Sequence, residues 1–270
     1  MLSALVLACC LAVPLGCGSG QQPTRPADRS VTYLPELAAD VYRPKGPVEP
    51  QRPVVVLVPG GGWLTADPTG LRPLAARLAA RGVPAVTITY RAAADGVRLP
   101  AAVADIRCAA AFAAQAIGRS GERPVVLAGH SSGAHLAAVA ALAPRDPPPR
   151  CRYSAAKIVG LIGLAGPYDL SSFADAAEPL LGAPPAEDPA AWEAANPLLL
   201  GRNPPAGLRV LLVHGSTDPV VPALNTTLMA IVLRAAEADV TVATPPGADH
   251  DSVFSADVAA PLVLRWLSQW

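Results

Sequence analysis

Three polar residues in apolar surroundings carry the chemistry this sequence offers. They are Ser131 in Gly129-His-Ser-Ser-Gly133, Asp218 in His214-Gly-Ser-Thr-Asp-Pro-Val-Val-Pro222, and His250 in Ala248-Asp-His-Asp251. A serine hydroxyl attacks a carbonyl when a base takes its proton, and an imidazole base needs a carboxylate to fix its tautomer and stabilise the imidazolium. A fourth stretch, Pro59-Gly-Gly-Gly-Trp63, offers free backbone N–H groups. Those of Gly61 and Gly62, with the N–H of Ser132, are candidates to hold a tetrahedral oxyanion. Trp63 is a candidate to border an acyl pocket, the alternative being that it staples the glycine loop to the domain.

The elements that must position these groups follow from the patterning. Val125 to Ala128 is an apolar run with the length and branching of a buried strand, and apolar residues at helical spacing follow Ser131, with Leu136, Val139, Ala140 and Leu142 as the expected inner face. A strand that becomes a helix within two residues turns sharply at Ser131, and glycines at 129 and 133 let the backbone approach closely on both sides. The N–H of Ser132 then lies at a helix N-terminus, where negative charge is stabilised. Further strands are expected over 53–58, 85–90, 155–165, 208–213 and 240–243. Helices are expected over 69–81, 100–118, 224–238 and 255–270, after an antiparallel hairpin within 31–42. This alternation gives a mostly parallel sheet with helices on both faces. In such sheets functional groups gather at the carboxyl ends of strands, which is where the glycine loop, Asp218 and His250 fall. The proline-bearing stretch of about 167–206 reads as a looser, small lid.

Bulk composition narrows the function classes. The 270 residues suit one α/β domain, with 51% hydrophobic and 16% charged residues and a net charge of zero. No basic or acidic run stands out, which argues against nucleic acid or an anionic membrane surface as a partner. The four histidines show no ligand spacing and there is no Cys-x-x-Cys pair, so no metal site is expected.

The N-terminus differs from the rest. Met1 to Leu15 is almost wholly apolar, too short to span a bilayer, and runs into Gly16-Cys17-Gly18-Ser19-Gly20. It resembles a secretory leader over 1–17 ending in a bacterial lipoprotein site with Cys17 as the lipidated residue, followed by a polar tether over 18–30. The expectation is an exported protein, lipid-anchored at the outer face of the cytoplasmic membrane, or secreted in soluble form. With Cys9 and Cys10 lost in the leader and Cys17 acylated, Cys108 and Cys151 remain; they are either a disulfide or two buried thiols.

Together, Gly-His-Ser-Ser-Gly-Ala-His-Leu-Ala, Pro-Gly-Gly-Gly-Trp, Asp-Val-Tyr-Arg-Pro and His-Gly-Ser-Thr-Asp-Pro-Val-Val-Pro resemble the bacterial carboxylesterases of the α/β-hydrolase superfamily. The branch is the one with feruloyl/acetyl-esterase-like and kynurenine-formamidase-like enzymes, related to hormone-sensitive lipase. The resemblance covers about residues 38–268. It implies an α/β-hydrolase fold over 31–270 with a small lid, Ser131 as nucleophile, Asp218 as acid and His250 as base. It further implies Gly61, Gly62 and Ser132 as oxyanion donors, a small-molecule ester as substrate, and no cofactor. An amide hydrolase on the same triad, or a binding protein retaining the fold, are the other classes. The chain departs from the family pattern at Pro59, where histidine usually opens the loop, and at Asp251, where glycine is common. Of the remaining polar residues, His130 is expected to line the elbow, His135 to pack on its helix, His214 to bond within its loop and Asp169 to cap a turn, the alternatives being one of these histidines in a catalytic role and Asp169 as the acid.

Overall fold

The computed structural model describes residues 25–117, 123–143 and 147–270. The leader over 1–17, with Cys17, and the tether residues 18–24 lie outside the described residues.

Strands β1 (Arg29–Leu34), β2 (Leu37–Tyr42), β3 (Val54–Val58), β4 (Ala85–Ile88), β5 (Val125–His130), β6 (Ile158–Leu164), β7 (Arg209–Val213) and β8 (Asp239–Ala243) form one eight-stranded sheet. Their spatial order is β1-β2-β4-β3-β5-β6-β7-β8. The entry hairpin β1–β2 is antiparallel, β2 pairs antiparallel with β4, and every later pairing is parallel. Successive side chains on a strand point to opposite faces. Val54, Val56, Val58, Leu127 and Leu212 therefore join one core layer, while Val55, Leu57, Val126, Leu211 and Val213 join the other. A strand covered on both faces has no use for alternation, which is why β3 reads as an unbroken valine and leucine run.

The helices are α1 (Arg72–Ala80), α2 (Leu99–Ile117), α3 (Ser132–Leu142), α4 (Ala174–Leu181), α5 (Pro189–Ala194), α6 (Pro197–Leu200), α7 (Leu224–Ala235) and α8 (Ala256–Leu267). Helices α1 and α8 contribute to the core on one face of the sheet, and α2, α3 and α7 to the core on the other. Among the described residues α2 alone is long and apolar enough to cross a membrane, but 61% of that span is buried inside the fold. It also carries the fully buried Asp105, which accepts from Arg91 (Nε 2.8 Å) and from Arg150. Cys108 on α2 is joined by a disulfide to Cys151 in the α3–β6 connection, with Cα atoms 5.7 Å apart.

Two expectations are corrected. Helix α3 has no solvent face: every residue from Ser132 to Leu142 is buried, because β5 and β6, α2 and α6 pack around it. The Gly166–Ala206 stretch is not loose. A short 3₁₀ turn, α4, α5 and α6 occupy it, and Leu180, Trp192 and Ala195 belong to the core. Two of its prolines start helices instead of breaking them: Pro189 and Pro197 follow the capping residues Asp188 and Asn196, where a missing N–H costs nothing, while Pro179 lies within α4.

Candidate active site

Strand β5 delivers Ser131 into a backbone conformation of φ 51°, ψ −128°, off the normal regions for a side-chain-bearing residue. The two glycines of the motif make that turn possible by close approach. A Cβ on Gly129 would sit 2.2 Å from the carbonyl oxygen of Gly133, and one on Gly133 would sit 2.3 Å from that of Pro59. The Ser131 N–H is held by the carbonyl of Leu164 at the end of β6 (2.9 Å), and α3 begins with the next residue. The hydroxyl is thereby carried at the carboxyl end of the sheet with a helix N-terminus directly behind it.

The loops after β7 and β8 bring the other two residues to it. Ser131 Oγ lies 3.0 Å from His250 Nε2, and His250 Nδ1 lies 2.9 Å from Asp218 Oδ2. With the carboxylate as acceptor, Nδ1 carries the ring proton, so Nε2 presents a lone pair to the hydroxyl. Asp218 Oδ1 accepts from the amides of Val220 (2.8 Å) and Val221 (3.0 Å), and the side chain is 1% exposed. Burial alone would raise the pKa of this carboxyl, but the bonds from Val221, His250 and Val220 outweigh it and hold the pKa below the usual carboxylate value. This arrangement can move a proton from Ser131 to His250 while Asp218 remains charged.

The neighbouring histidines buttress these loops. His214 Nε2 donates to the carbonyl of Val221 (2.8 Å) while its Nδ1 accepts from Thr226 Oγ1 (2.8 Å), shaping the Asp218 loop. His130 Nε2 donates to the carbonyl of His250 (2.8 Å), and its ring packs 4.8 Å from that of His250 and 4.3 Å from that of Phe254. Burial, with the nearby His250 adding to it, pushes the His130 pKa down to about 4, so it stays neutral beside the His250 ring. Asp169 caps its turn by accepting from Ser171, and Asp249 accepts from Ser252.

On the other side of Ser131 lies the glycine loop. A Cβ on Gly60 would be 3.1 Å from the Ser131 Cβ, so the loop lies directly against the elbow. Its shape is set by the Gly61 carbonyl, which accepts from Leu64 (3.0 Å) and Thr65 (3.2 Å). Gly61 and Gly62 are exposed, and among the described residues the amides of Gly61, Gly62 and Ser132 donate to no protein acceptor. Pro59 contributes its carbonyl, which accepts from Tyr90 Oη (3.0 Å). Trp63 is buried, 3% exposed, with its indole N–H committed to His135, a position that suits the staple more than the border of an acyl pocket. Sequence reasoning missed Tyr90. The position of Tyr90 just beyond β4, at the same carboxyl edge of the sheet, was the available signal.

Residues 39–233 match the BD-FAE family. The chain belongs to that family, an α/β-hydrolase esterase family. Among its relatives are Esterase LipQ of Mycobacterium tuberculosis (28% identical over 81% of this chain and 54% of LipQ) and Esterase LipC of the same organism (30%, over 80% and 57%). A probable isoprenylcysteine alpha-carbonyl methylesterase of Oryza sativa subsp. japonica is 28% identical over 85% of this chain and 59% of its own. This BD-FAE chain thus spans little more than half the length of these curated relatives. The butyrate-bound Est2 esterase of Thermogutta terrifontis shares the fold, with a TM-score of 0.68 and 22% identity over 86% of this chain and 89% of that one. A truncated carbohydrate esterase from gut microbiota does so with a TM-score of 0.72 and 19% identity over 86% and 90%.

Proposed function

We propose that this chain is a serine hydrolase that cleaves carboxylic esters through an acyl-enzyme on Ser131. The observation that carries the reading is the unbroken line Ser131 Oγ–His250–Asp218, at 3.0 and 2.9 Å, on a strained strand-to-helix turn. Ser131 Oγ attacks the ester carbonyl carbon while His250 Nε2 takes the hydroxyl proton. The carbonyl oxygen becomes the oxyanion, met by the amides of Ser132, Gly61 and Gly62. Collapse breaks the bond to the alcohol, which leaves with the proton from His250. Water, deprotonated by the same imidazole, then attacks the acyl carbon; the bond to Ser131 Oγ breaks, Oγ takes the proton back from His250, and the carboxylic acid leaves. Asp218 holds the imidazolium throughout without taking a proton. The esterase names of the relatives agree with this chemistry, as does a solved Thermogutta terrifontis neighbour phosphoramylated by tabun.

The substrate class proposed is a small-molecule ester with a short to medium acyl chain, supported by an insertion of only three short helices over 167–206, which we read as a small lid. The test is labelling with a fluorophosphonate probe together with 4-nitrophenyl acetate and decanoate hydrolysis. Labelling and acetate turnover should both vanish in Ser131→Ala and His250→Ala. A folded protein that neither labels nor turns over acetate would overturn the reading, and decanoate turnover far above acetate would overturn the acyl preference.

Export and lipidation at Cys17 form part of the same proposal. The apolar Met1–Leu15 run before Gly16-Cys17 supports them, and so does the Cys108–Cys151 disulfide, a bond suited to an oxidising compartment. Cells fed an alkynyl fatty acid should label the protein, and Cys17→Ser should abolish the label; equal labelling of both would refute the site.

A further inference from the structure

His135 stands one helical turn beyond Ser131 on α3, and its side chain is 1% exposed. Its two ring nitrogens face opposite demands. Nδ1 accepts from the indole N–H of Trp63 (3.0 Å), and Nε2 donates to the carbonyl of Ala195 (2.8 Å) between α5 and α6. A carbonyl only accepts, so Ala195 fixes the proton on Nε2 and leaves Nδ1 free to take the indole N–H. Trp63 directly follows Gly62 and sits at φ 62°, a costly conformation for a bulky residue. It is gripped at three points: its carbonyl accepts from Ala93 (3.0 Å), its indole N–H is held by His135, and its ring meets that of Phe173 edge-on at 6.3 Å. Water does not reach these groups, so a lost bond leaves a buried donor unpaired. Burial pushes the His135 pKa down to about 4, in keeping with a ring that must stay neutral to accept.

We propose that His135 is a positioning residue for acyl transfer: through Trp63 it fixes the conformation of the Gly60–Gly62 loop, with Ala195 setting its tautomer. The proposal rests on the serine-esterase reading. Charge on the substrate oxygen develops only on the way to the tetrahedral intermediate, so a displaced glycine loop lowers kcat while leaving ground-state binding nearly intact. A purely structural role would instead lower the fraction of folded enzyme and leave each folded molecule fully active.

The experiment measures 4-nitrophenyl acetate hydrolysis per active site, titrated with an organophosphate, for His135→Phe, His135→Gln, Trp63→Phe and the double variant Trp63→Phe/His135→Phe. His135→Phe and Trp63→Phe should each lower kcat by about 10- to 100-fold with KM changed by less than about threefold. The double variant should lose little more than either single one, because both remove the same bond. His135→Gln should recover much of the loss, its amide offering both an acceptor and a donor. Wild-type kcat per titrated site in His135→Phe, or losses that multiply in the double variant, would overturn the proposal. Should His135→Phe not fold, Trp63→Phe keeps an aromatic ring and decides alone, with wild-type kcat again overturning it. A wild type without Ser131-dependent turnover would fail the esterase reading itself, whereas an active wild type with unimpaired variants would fail only the role of His135.

Discussion

The two flanks of Ser131 are built by different means. On the flank proposed to move the proton, Asp218 and His250 come from the loops after adjacent strands, and the support of the carboxylate is local, while His130 ties the His250 carbonyl across 120 positions. Val220 and Val221 bond the carboxylate two and three residues away, and His214 props the same loop from four residues before Asp218. On the flank that would meet the oxyanion, the glycine loop turns on its own Gly61 carbonyl but is tied to the rest of the fold from afar. Tyr90 reaches Pro59 across 31 positions, and Trp63 reaches His135 across 72. The difference teaches that the groups proposed for proton transfer and those proposed for charge stabilisation are anchored separately, in different parts of the sheet. A substitution on one flank should therefore leave the other intact, and that is open to attack.

The largest effect should come from Asp218→Asn. The amide keeps the shape but favours the wrong His250 tautomer, and kcat should fall by roughly 10⁴-fold, the size found in other Ser-His-Asp enzymes. If the flanks are separate, the glycine loop stays in place and a transition-state-like boronate should still protect the loop from proteolysis. Equal turnover by Asp218→Asn and wild type would remove Asp218 from the proton-transfer chain.

Next comes the disulfide, which belongs to neither flank. Cys108 and Cys151 close a loop with a sequence separation of 43, for which the chain-entropy relation gives up to about 4 kcal/mol of stability. The Cys108→Ala/Cys151→Ala double variant should show a lowered urea midpoint with kcat per active site unchanged. A fall in kcat per titrated site would mean that the elbow helix depends on this bond, and the separation of functions would fail there.

Within the glycine loop itself the two candidate donors should behave unequally. A Cβ on Gly61, at φ +138°, would lie 2.4 Å from the carbonyl oxygen of Thr65, whose amide helps shape the loop. Gly61→Ala should therefore lower kcat about 100-fold, comparable to losing an oxyanion donor. Gly62 sits at φ +59° with nothing within 4 Å of an added Cβ, so Gly62→Ala bears only the left-handed penalty of about 1–2 kcal/mol and should stay within about tenfold of wild type. Equal losses would show that the loop tolerates no side chain at all, whatever its contacts.

The contrast between the flanks also explains what was legible in the sequence. The parallel sheet, the turn at Ser131 and the loops carrying Asp218 and His250 are short-range patterns, readable from apolar runs and the residues that end them. The staple of Trp63 on His135 is not, because a histidine on a helix looks the same whether it packs or binds, and its two partners lie far away in the chain. The burial of α3 on every side was hidden for a related reason: alanine is small enough to face another helix or solvent, so Ala137, Ala138 and Ala141 carried no directional signal. The proline-rich insertion misled in the opposite direction. Proline reads as a breaker until a capping Asp188 or Asn196 in front of it turns it into a start.

One property is shared by the flanks, and it gives the smallest of the expected effects. His130 supports the base and His135 supports the glycine loop, and burial pushes both from an ordinary value of 6.5 to about 4. Unfolding frees each ring to bind a proton that the folded protein refuses. Stability from these groups is therefore complete above about pH 6.5 and is lost as the pH falls toward 4. Between pH 7 and 5.5 each should cost about 1 kcal/mol, since the unfolded ring gains most of a proton over that interval while the folded ring stays neutral. Asp218, Asp67 and Asp249, whose carboxyls are held below their ordinary values, add losses of the same sign at lower pH, so the histidines are isolated by difference. Urea unfolding at pH 7 and 5.5 should show a smaller acid penalty in His130→Gln and in His135→Gln than in wild type, by a similar amount each. Should only His130→Gln flatten the pH dependence, the folded His135 ring would take up its proton as readily as the unfolded one and would be charged at pH 5.5. Its Nδ1 could not then accept from Trp63, and the glycine flank would have to be held by Tyr90 and Ala93 alone.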